Sequence, residues 1–111
     1  MLWGTQCNNL GGKEWDIWDN VNATWVSTGV PCNLLNSAWN HVTIQAQRGA
    51  NNAVIYQSIT LNGTTTNLNK TYPPFSVPVS WCGVTLNYQM DGNSKQAANA
   101  TYLDNFSFTY R

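Results

Sequence analysis

The chain has 111 residues, five basic and five acidic side chains, and a charged fraction of 9%, against roughly 25% in ordinary globular proteins. That length sets one domain, able to bury about two-thirds of its unfolded surface around a single core. With no basic stripe and no apolar run near ~18 residues, the sequence argues against nucleic acid and against a membrane as partners.

Helix signals are nearly absent. No stretch of ten or more residues has a 3.6 period, and Leu34 to Ala38 supports one short turn only. Strand signals recur at short spacing, near Leu2–Cys7, Glu14–Asp19, Ala23–Thr28, Asn40–Arg48, Ala53–Leu61, Thr65–Leu68, Val84–Met90 and Thr101–Tyr110. Gly11-Gly12, Thr28-Gly29, Asn62-Gly63, Pro73-Pro74 and Asp91-Gly92-Asn93 punctuate them. The pattern predicts an all-β fold, an antiparallel β-sandwich or jelly roll, as one domain over residues 1–111.

The stretch from Asn40 to Arg48 alternates without a break. Val42, Ile44 and Ala46 take one face, and His41, Thr43, Gln45 and Gln47 the other. In the following strand Ile55, Ile59 and Leu61 are expected inward and Tyr56, Ser58 and Thr60 outward. Val84 to Met90 and Thr101 to Tyr110 split in the same way, with Asn87 and Gln89 on a polar face. A sandwich with wet outer faces explains the alternation. It does not explain why those faces lack Lys and Glu. Faces of amides, hydroxyls and one imidazole suit a neutral, hydroxyl-rich ligand such as a polysaccharide. The six Trp, five Tyr, abundant Asn and Thr and scarce Lys fit a secreted β protein that meets polysaccharides.

Met1 to Gly4 carries neither a basic n-region nor an apolar h-region. Either a signal was removed or this is an internal piece of a longer protein. Three cysteines are an odd set. A bridge between Cys7 and Cys32, 25 residues apart, would stabilise by roughly 3 kcal/mol or a little more. It would leave Cys82, as a buried thiol, an intermolecular bridge or a reactive group.

Trp39-Asn40-His41-Val42, Leu61-Asn62-Gly63 and Leu103-Asp104-Asn105-Phe106-Ser107-Phe108, in that order, resemble the concanavalin A-like, laminin-G-like jelly rolls attached to secreted bacterial proteins. The resemblance covers roughly residues 39–110. A Cys-Asn near one strand and a Pro-Cys after a Val-Ser-Thr-Gly turn occur together in such modules, which supports Cys7–Cys32. It also implies that the chain is the C-terminal part of a longer laminin-G-like domain that lacks the usual N-terminal strands. Homodimerisation would be the simplest cover for the edges this exposes. Functionally it implies glycan binding, protein binding or, in some branches, glycoside hydrolysis; fold alone does not choose.

Chemical candidates follow. Glu14, Asp16 and Trp18 share one face of a strand, and a bulge at Ile17-Trp18 would bring Asp19 round to join them. Glu14 and Asp19 would then serve as the paired carboxylates of a minimal glycoside hydrolase acting on β-glucan, with Asp16 aligning them. The segment is similar to the Glu-x-Asp-x-x-Glu strand of laminarinase-type jelly-roll hydrolases, except that Asp19 stands where Glu is usual. A Trp-rich strand with two solvated acids is the plainer explanation, because a motif of this size matches by chance. Trp18 and Trp25 are candidate sugar platforms, whereas Trp15, Trp39 and Trp81 are expected in the core. The expected ligand set is Trp18, Trp25, His41, Gln45, Gln47, Tyr56, Asn87 and Gln89.

A lone histidine is a poor metal site, and no metal site is expected. Asp91-Gly92-Asn93 and Asp104-Asn105 are weak Ca²⁺ candidates with an ordinary turn reading. No other cofactor is expected. The leading expectation is a secreted, non-catalytic carbohydrate-binding module, dimeric, with no nucleic-acid or membrane partner. The alternatives are the hydrolase and a structural or adhesion module acting through homodimerisation.

Overall fold

The computed structural model describes residues 2–74, 86–92, 97–98 and 100–109. It falls into two compact units, Met1–Val79 and Ser80–Arg111.

The first unit is all-β. Three strands, β1 (Thr5–Asn8), β2 (Glu14–Asp19) and β3 (Thr24–Pro31), form one antiparallel sheet in the order β1-β2-β3. Three more, β4 (Val42–Arg48), β5 (Val54–Leu61) and β6 (Thr64–Tyr72), form a second in the order β4-β5-β6. A single 3₁₀ turn, Ala50–Asn52, joins β4 to β5. The β5–β6 connection is a two-residue hairpin with both residues at positive φ, Asn62 at 49° and Gly63 at 86°. Asparagine tolerates the left-handed region and glycine enters it freely, so Asn-Gly selects this tight turn.

The buried residues of the two sheets meet in two clusters. Trp15 of β2 packs with Cys32 and Ile59, and Ile17 of β2 packs with Val54 and Tyr56 of β5. Leu68 of β6 borders both clusters. On β2 the inward set is therefore Trp15 and Ile17, as the alternation predicts. Cys7 and Cys32 form a disulfide with a Cα–Cα distance of 5.7 Å, well inside the bridging range.

Several expectations are corrected. Tyr56 is not on a wet face: it is 0% exposed. The cause is a bulge. Gln45 pairs with Ser58 but Ala46 pairs with Tyr56, so Gln57 is an extra residue and the faces of β5 swap there. The inward row of β5 becomes Val54, Tyr56 and Ile59, and Ile55 leaves it. Val42, Ile44 and Ala46 do share the face of Ile59 and Tyr56, yet all of β4 is exposed. A sheet's edge strand reaches past the layer that covers its centre, so sharing a face does not guarantee burial. Trp39, expected in the core, is 68% exposed. It lies in a surface segment that folds on its own backbone: the Asn40 amide donates to the carbonyls of Leu35 (3.0 Å) and Ala38 (3.1 Å), and its Oδ1 accepts from Leu35 N–H (2.8 Å).

In the second unit, the described residues of the expected strands Val84–Met90 and Thr101–Tyr110 form none. Leu86, Tyr88, Met90, Tyr102 and Phe106 are all exposed. Alternation assigns faces, but a strand exists only when a neighbour supplies the hydrogen-bond ladder. Trp81 and Cys82, the tip residue Asn93, and Val84, Thr85 and Tyr110 of the two expected strands lie outside the described residues. No helix among those described is long and apolar enough to cross a membrane.

Candidate functional site

The face of the first sheet turned away from Trp15 and Ile17 is built in three rows. Backbone pairing places Gln6, Asp16 and Ser27 side by side, with Asn8, Glu14 and Pro31 on one flank. On the other flank Gly4 meets Trp18 through the Trp18 N–H to Gly4 carbonyl bond (2.9 Å), and Trp18 pairs with Trp25. Three strands and four residue steps make this a platform of about 10 Å by 13 Å.

The side chains on it are tied together. The amides of Gln6 (2.9 Å) and Asn8 (3.1 Å) both donate to Asp16 Oδ2. Ser27 donates its hydroxyl to Glu14 Oε2 and accepts the Gly29 N–H (3.2 Å) through the same oxygen. Asn8 is fixed in turn by Gly11, whose N–H donates to its Oδ1 (2.9 Å). The two carboxylates are thus held by neutral donors, and charge-assisted bonds of this kind are short and directional.

The aromatic end is equally constrained. Trp18 and Trp25 form an edge-to-face pair with ring centroids 5.2 Å apart and planes at 70°. A side chain at Gly4 would meet Trp18 Cβ at 2.9 Å and the Cη2 of Trp25 at 3.2 Å, so glycine is what lets the indoles close over this end of the face. Trp25 remains 41% exposed. Beneath this row, Tyr56 reaches up from the second sheet. Its oxygen accepts the Gly4 N–H (2.9 Å) and its hydroxyl donates to the Trp18 carbonyl (3.1 Å).

Asp19 is not part of this face. The register Ile17–Val26, Trp18–Trp25, Asp19–Thr24 is unbroken, so the expected bulge at Ile17-Trp18 does not occur and Asp19 points to the opposite side from Glu14 and Asp16. A bulge does exist in this pair, between Glu14 and Asp16, where β3 carries the extra residues. Asp19 is 6% exposed and caps the β2–β3 turn. Its Oδ1 accepts the N–H groups of Val21 (2.8 Å) and Asn22 (3.2 Å), and its Oδ2 accepts the Asn22 amide (2.7 Å).

The Asn22 side-chain bond holds the Asp19 carboxyl below its ordinary value of 3.8, against the opposing effect of burial. A depressed folded pKa means that Asp19 contributes stability above the unfolded value and loses it as pH falls further. Asp19→Asn should therefore melt earlier than the parent at neutral pH, and the gap should close as pH drops below about 4. Thermal melts across that range check it; a gap that does not vary with pH would rule it out.

The remaining candidates are dispersed. Gln45 and Gln47 sit on the other face of the second sheet, where Ser58 donates to Gln45 Oε1 (2.9 Å) and Gln57 donates to Gln47 Oε1 (2.7 Å). His41 is exposed; its backbone N–H donates to Asn62 Oδ1 (2.8 Å). Asn87 and Gln89 belong to the second unit, where Asn87 donates to Gln89 (2.7 Å) and Gln89 donates to both oxygens of Asp91 (3.2 and 3.1 Å). Asp104 Oδ1 accepts the N–H of Asn105 (2.8 Å), a turn bond. No group of three or more His, Cys, Asp or Glu side chains with metal-binding proximity occurs among the described residues.

Gln6, Asn8, Ser27 and Gly4 are the members of the face that sequence reasoning missed. A signal for two of them existed: a Cys7 turned inward for its bridge puts Gln6 and Asn8 outward. No protein-family model, curated protein or solved structure matches the chain.

Proposed function

We propose that this protein is a secreted carbohydrate-binding module, a β-sandwich of jelly-roll type that holds a neutral polysaccharide on the outer face of its first sheet. One observation carries the reading: Trp18 and Trp25 share that face with two hydrogen-bonded carboxylates and three neutral side chains, Gln6, Asn8 and Ser27. A pyranose has an apolar C–H face and a rim of hydroxyls. The exposed indole of Trp25 offers the first a surface, and pre-positioned amide and carboxylate groups offer the second donors and acceptors. The disulfide between Cys7 and Cys32 is compatible with an oxidising compartment.

The hydrolase reading is weaker on this geometry. Asp19 is turned away and spent on a turn, and Asp16 is buried beneath its two amide donors. Glu14 is left without a second free carboxylate on its face.

The test is depletion by insoluble polysaccharides, with assay of the supernatant for both protein and released sugar. The parent should be depleted without product. Trp25→Ala, a change at an exposed position, should keep the fold and lose roughly tenfold in affinity. Undiminished binding by a folded Trp25→Ala variant, or no binding to any glycan by the parent, would refute the assignment. Sugar release abolished by Glu14→Gln would restore the hydrolase.

A further inference from the structure

Among the described residues the two sheets have four edge strands, β1, β3, β4 and β6. An edge presents unpaired N–H and C=O groups, and native sheets blunt it with short length, proline, lysine or a local kink. Three of these edges are blunted. β1 is only four residues long. β3 carries Gly29 at a φ of 72° and ends on Pro31. β6 carries Lys70 beside Asn69, which has a φ of 50°. β4 has none of these devices. Its seven residues include no glycine, proline or positive φ, and no charge before Arg48. The extra residue of the β4–β5 bulge is Gln57, so β4 itself stays regular.

This edge is complementary to itself. At its two ends Asn62 N–H donates to the His41 carbonyl (2.8 Å) and Gly49 N–H donates to the Ala53 carbonyl (2.9 Å). Alternation between those ends turns the N–H and C=O groups of Val42, Ile44, Ala46 and Arg48 away from β5. An antiparallel copy of β4, related by a two-fold axis at Gln45, sets Ile44 against Ala46 and Val42 against Arg48. Each such pair exchanges two hydrogen bonds, about eight in all, against roughly ten in a typical interface. Val42 and Ile44, 38% and 43% exposed, gain cross-strand neighbours on the face they share with Ile59 and Tyr56. On the other face Thr43 meets Gln47 and the two Gln45 side chains meet each other, all of them neutral. The two Arg48 side chains stand at opposite ends, about 20 Å apart, so no like charges oppose each other.

We infer that β4 is an interaction surface for a second copy of this chain, and that β4 pairs with β4 across a two-fold axis at Gln45 to join the two β4-β5-β6 sheets into one continuous sheet. The surface is independent of the glycan reading, since no residue of β4 belongs to the outer face of the first sheet.

The test uses the full chain with Cys82→Ser, so that the third cysteine bridges no copies. Sedimentation velocity over a concentration series should show a monomer–dimer equilibrium in the micromolar range. Ile44→Lys places a charge on the paired edge, and Ala46→Pro removes an N–H that faces away from β5. Each should weaken the dimer by roughly tenfold or more. The register is tested by crosslinking. Gln45→Cys sets two thiols at a non-hydrogen-bonded pair with Cα atoms about 4.5 Å apart, inside the bridging range, so mild oxidation should link two copies. Thr43→Cys, which faces Gln47, should not link them. Thermal melts identify any edge variant that fails to fold, and the crosslink then decides alone. A chain that stays monomeric to millimolar concentration would overturn the inference. So would a dimer undiminished by Ile44→Lys and Ala46→Pro in folded chains, or one that Gln45→Cys links no better than Thr43→Cys. Assembly that grows past the dimer would show a pairing that does not close on itself and would reject the two-fold.

Discussion

Replacing Tyr56 with phenylalanine is expected to destabilise the fold by about 1–3 kcal/mol, and replacing it with alanine by about 3–5 kcal/mol. The hydroxyl makes two bonds at once, accepting from Gly4 N–H and donating to the Trp18 carbonyl. Phenylalanine leaves both backbone groups without that partner, which is the costly kind of loss. Alanine also removes a fully buried ring that packs on Ile17 and Val54 and meets Tyr72 edge-on at 6.2 Å. Denaturant midpoints for the two variants give the magnitudes. Equal midpoints for parent and Tyr56→Phe would show that the two bonds contribute nothing net.

The same residue carries a functional consequence. Gly4 and Trp18 are the row on which the Trp18–Trp25 pair rests, so Tyr56→Phe loosens the aromatic end of the outer face from below. Glycan affinity should fall in this variant even below its melting temperature. A pH signature accompanies it. Burial pushes the Tyr56 hydroxyl above its ordinary value of 10, and Tyr72 moves the same way for the same reason. An acid whose folded pKa is raised contributes stability that is complete below the unfolded value and is lost as pH rises beyond it. The parent should therefore begin to lose stability above about pH 10, and Tyr56→Phe should lose less over that interval.

Removing the disulfide, by reduction or by Cys7→Ser with Cys32→Ser, should cost about 3–4 kcal/mol. The bridge closes a separation of 25 residues that includes all of β2 and β3, and it joins the end of β1 to the residue after β3. Cys32 is also part of the buried cluster with Trp15 and Ile59, so serine there adds a polar group to an apolar environment. Gln6 and Asn8 flank Cys7 on the outer face, and β1 is a four-residue edge strand held by one neighbour. Loss of the bridge should thus weaken glycan binding as well as stability. Urea midpoints under oxidising and reducing conditions measure the first effect. Unfolding free energies that agree to within about 1 kcal/mol would show that the closed loop is not what stabilises this sheet.

Local chemistry alone determined a good part of this protein. The all-β class, the bounds of β2 at Glu14 and Asp19, the Asn62-Gly63 hairpin and the burial of Trp15 follow from alternation and turn preference, which act over two to four residues. So does the sharing of one face by Glu14, Asp16 and Trp18. Tertiary structure decided the rest, because it depends on which strand lies alongside. The extra residue at Gln57 is invisible in a period-two pattern, yet it sends Tyr56 into the core and Ile55 out of it. The unbroken register at Ile17 and Trp18 keeps Asp19 away from Glu14, and only pairing with β3 fixes that. Gln6, Asn8 and Ser27 become partners of the carboxylates through ladder contacts with β1 and β3, at separations of 8 to 13 residues in the chain. A strand's faces are written in its own residues; what stands beside each face is set by backbone hydrogen bonds between distant segments, and those bonds carry no side-chain code.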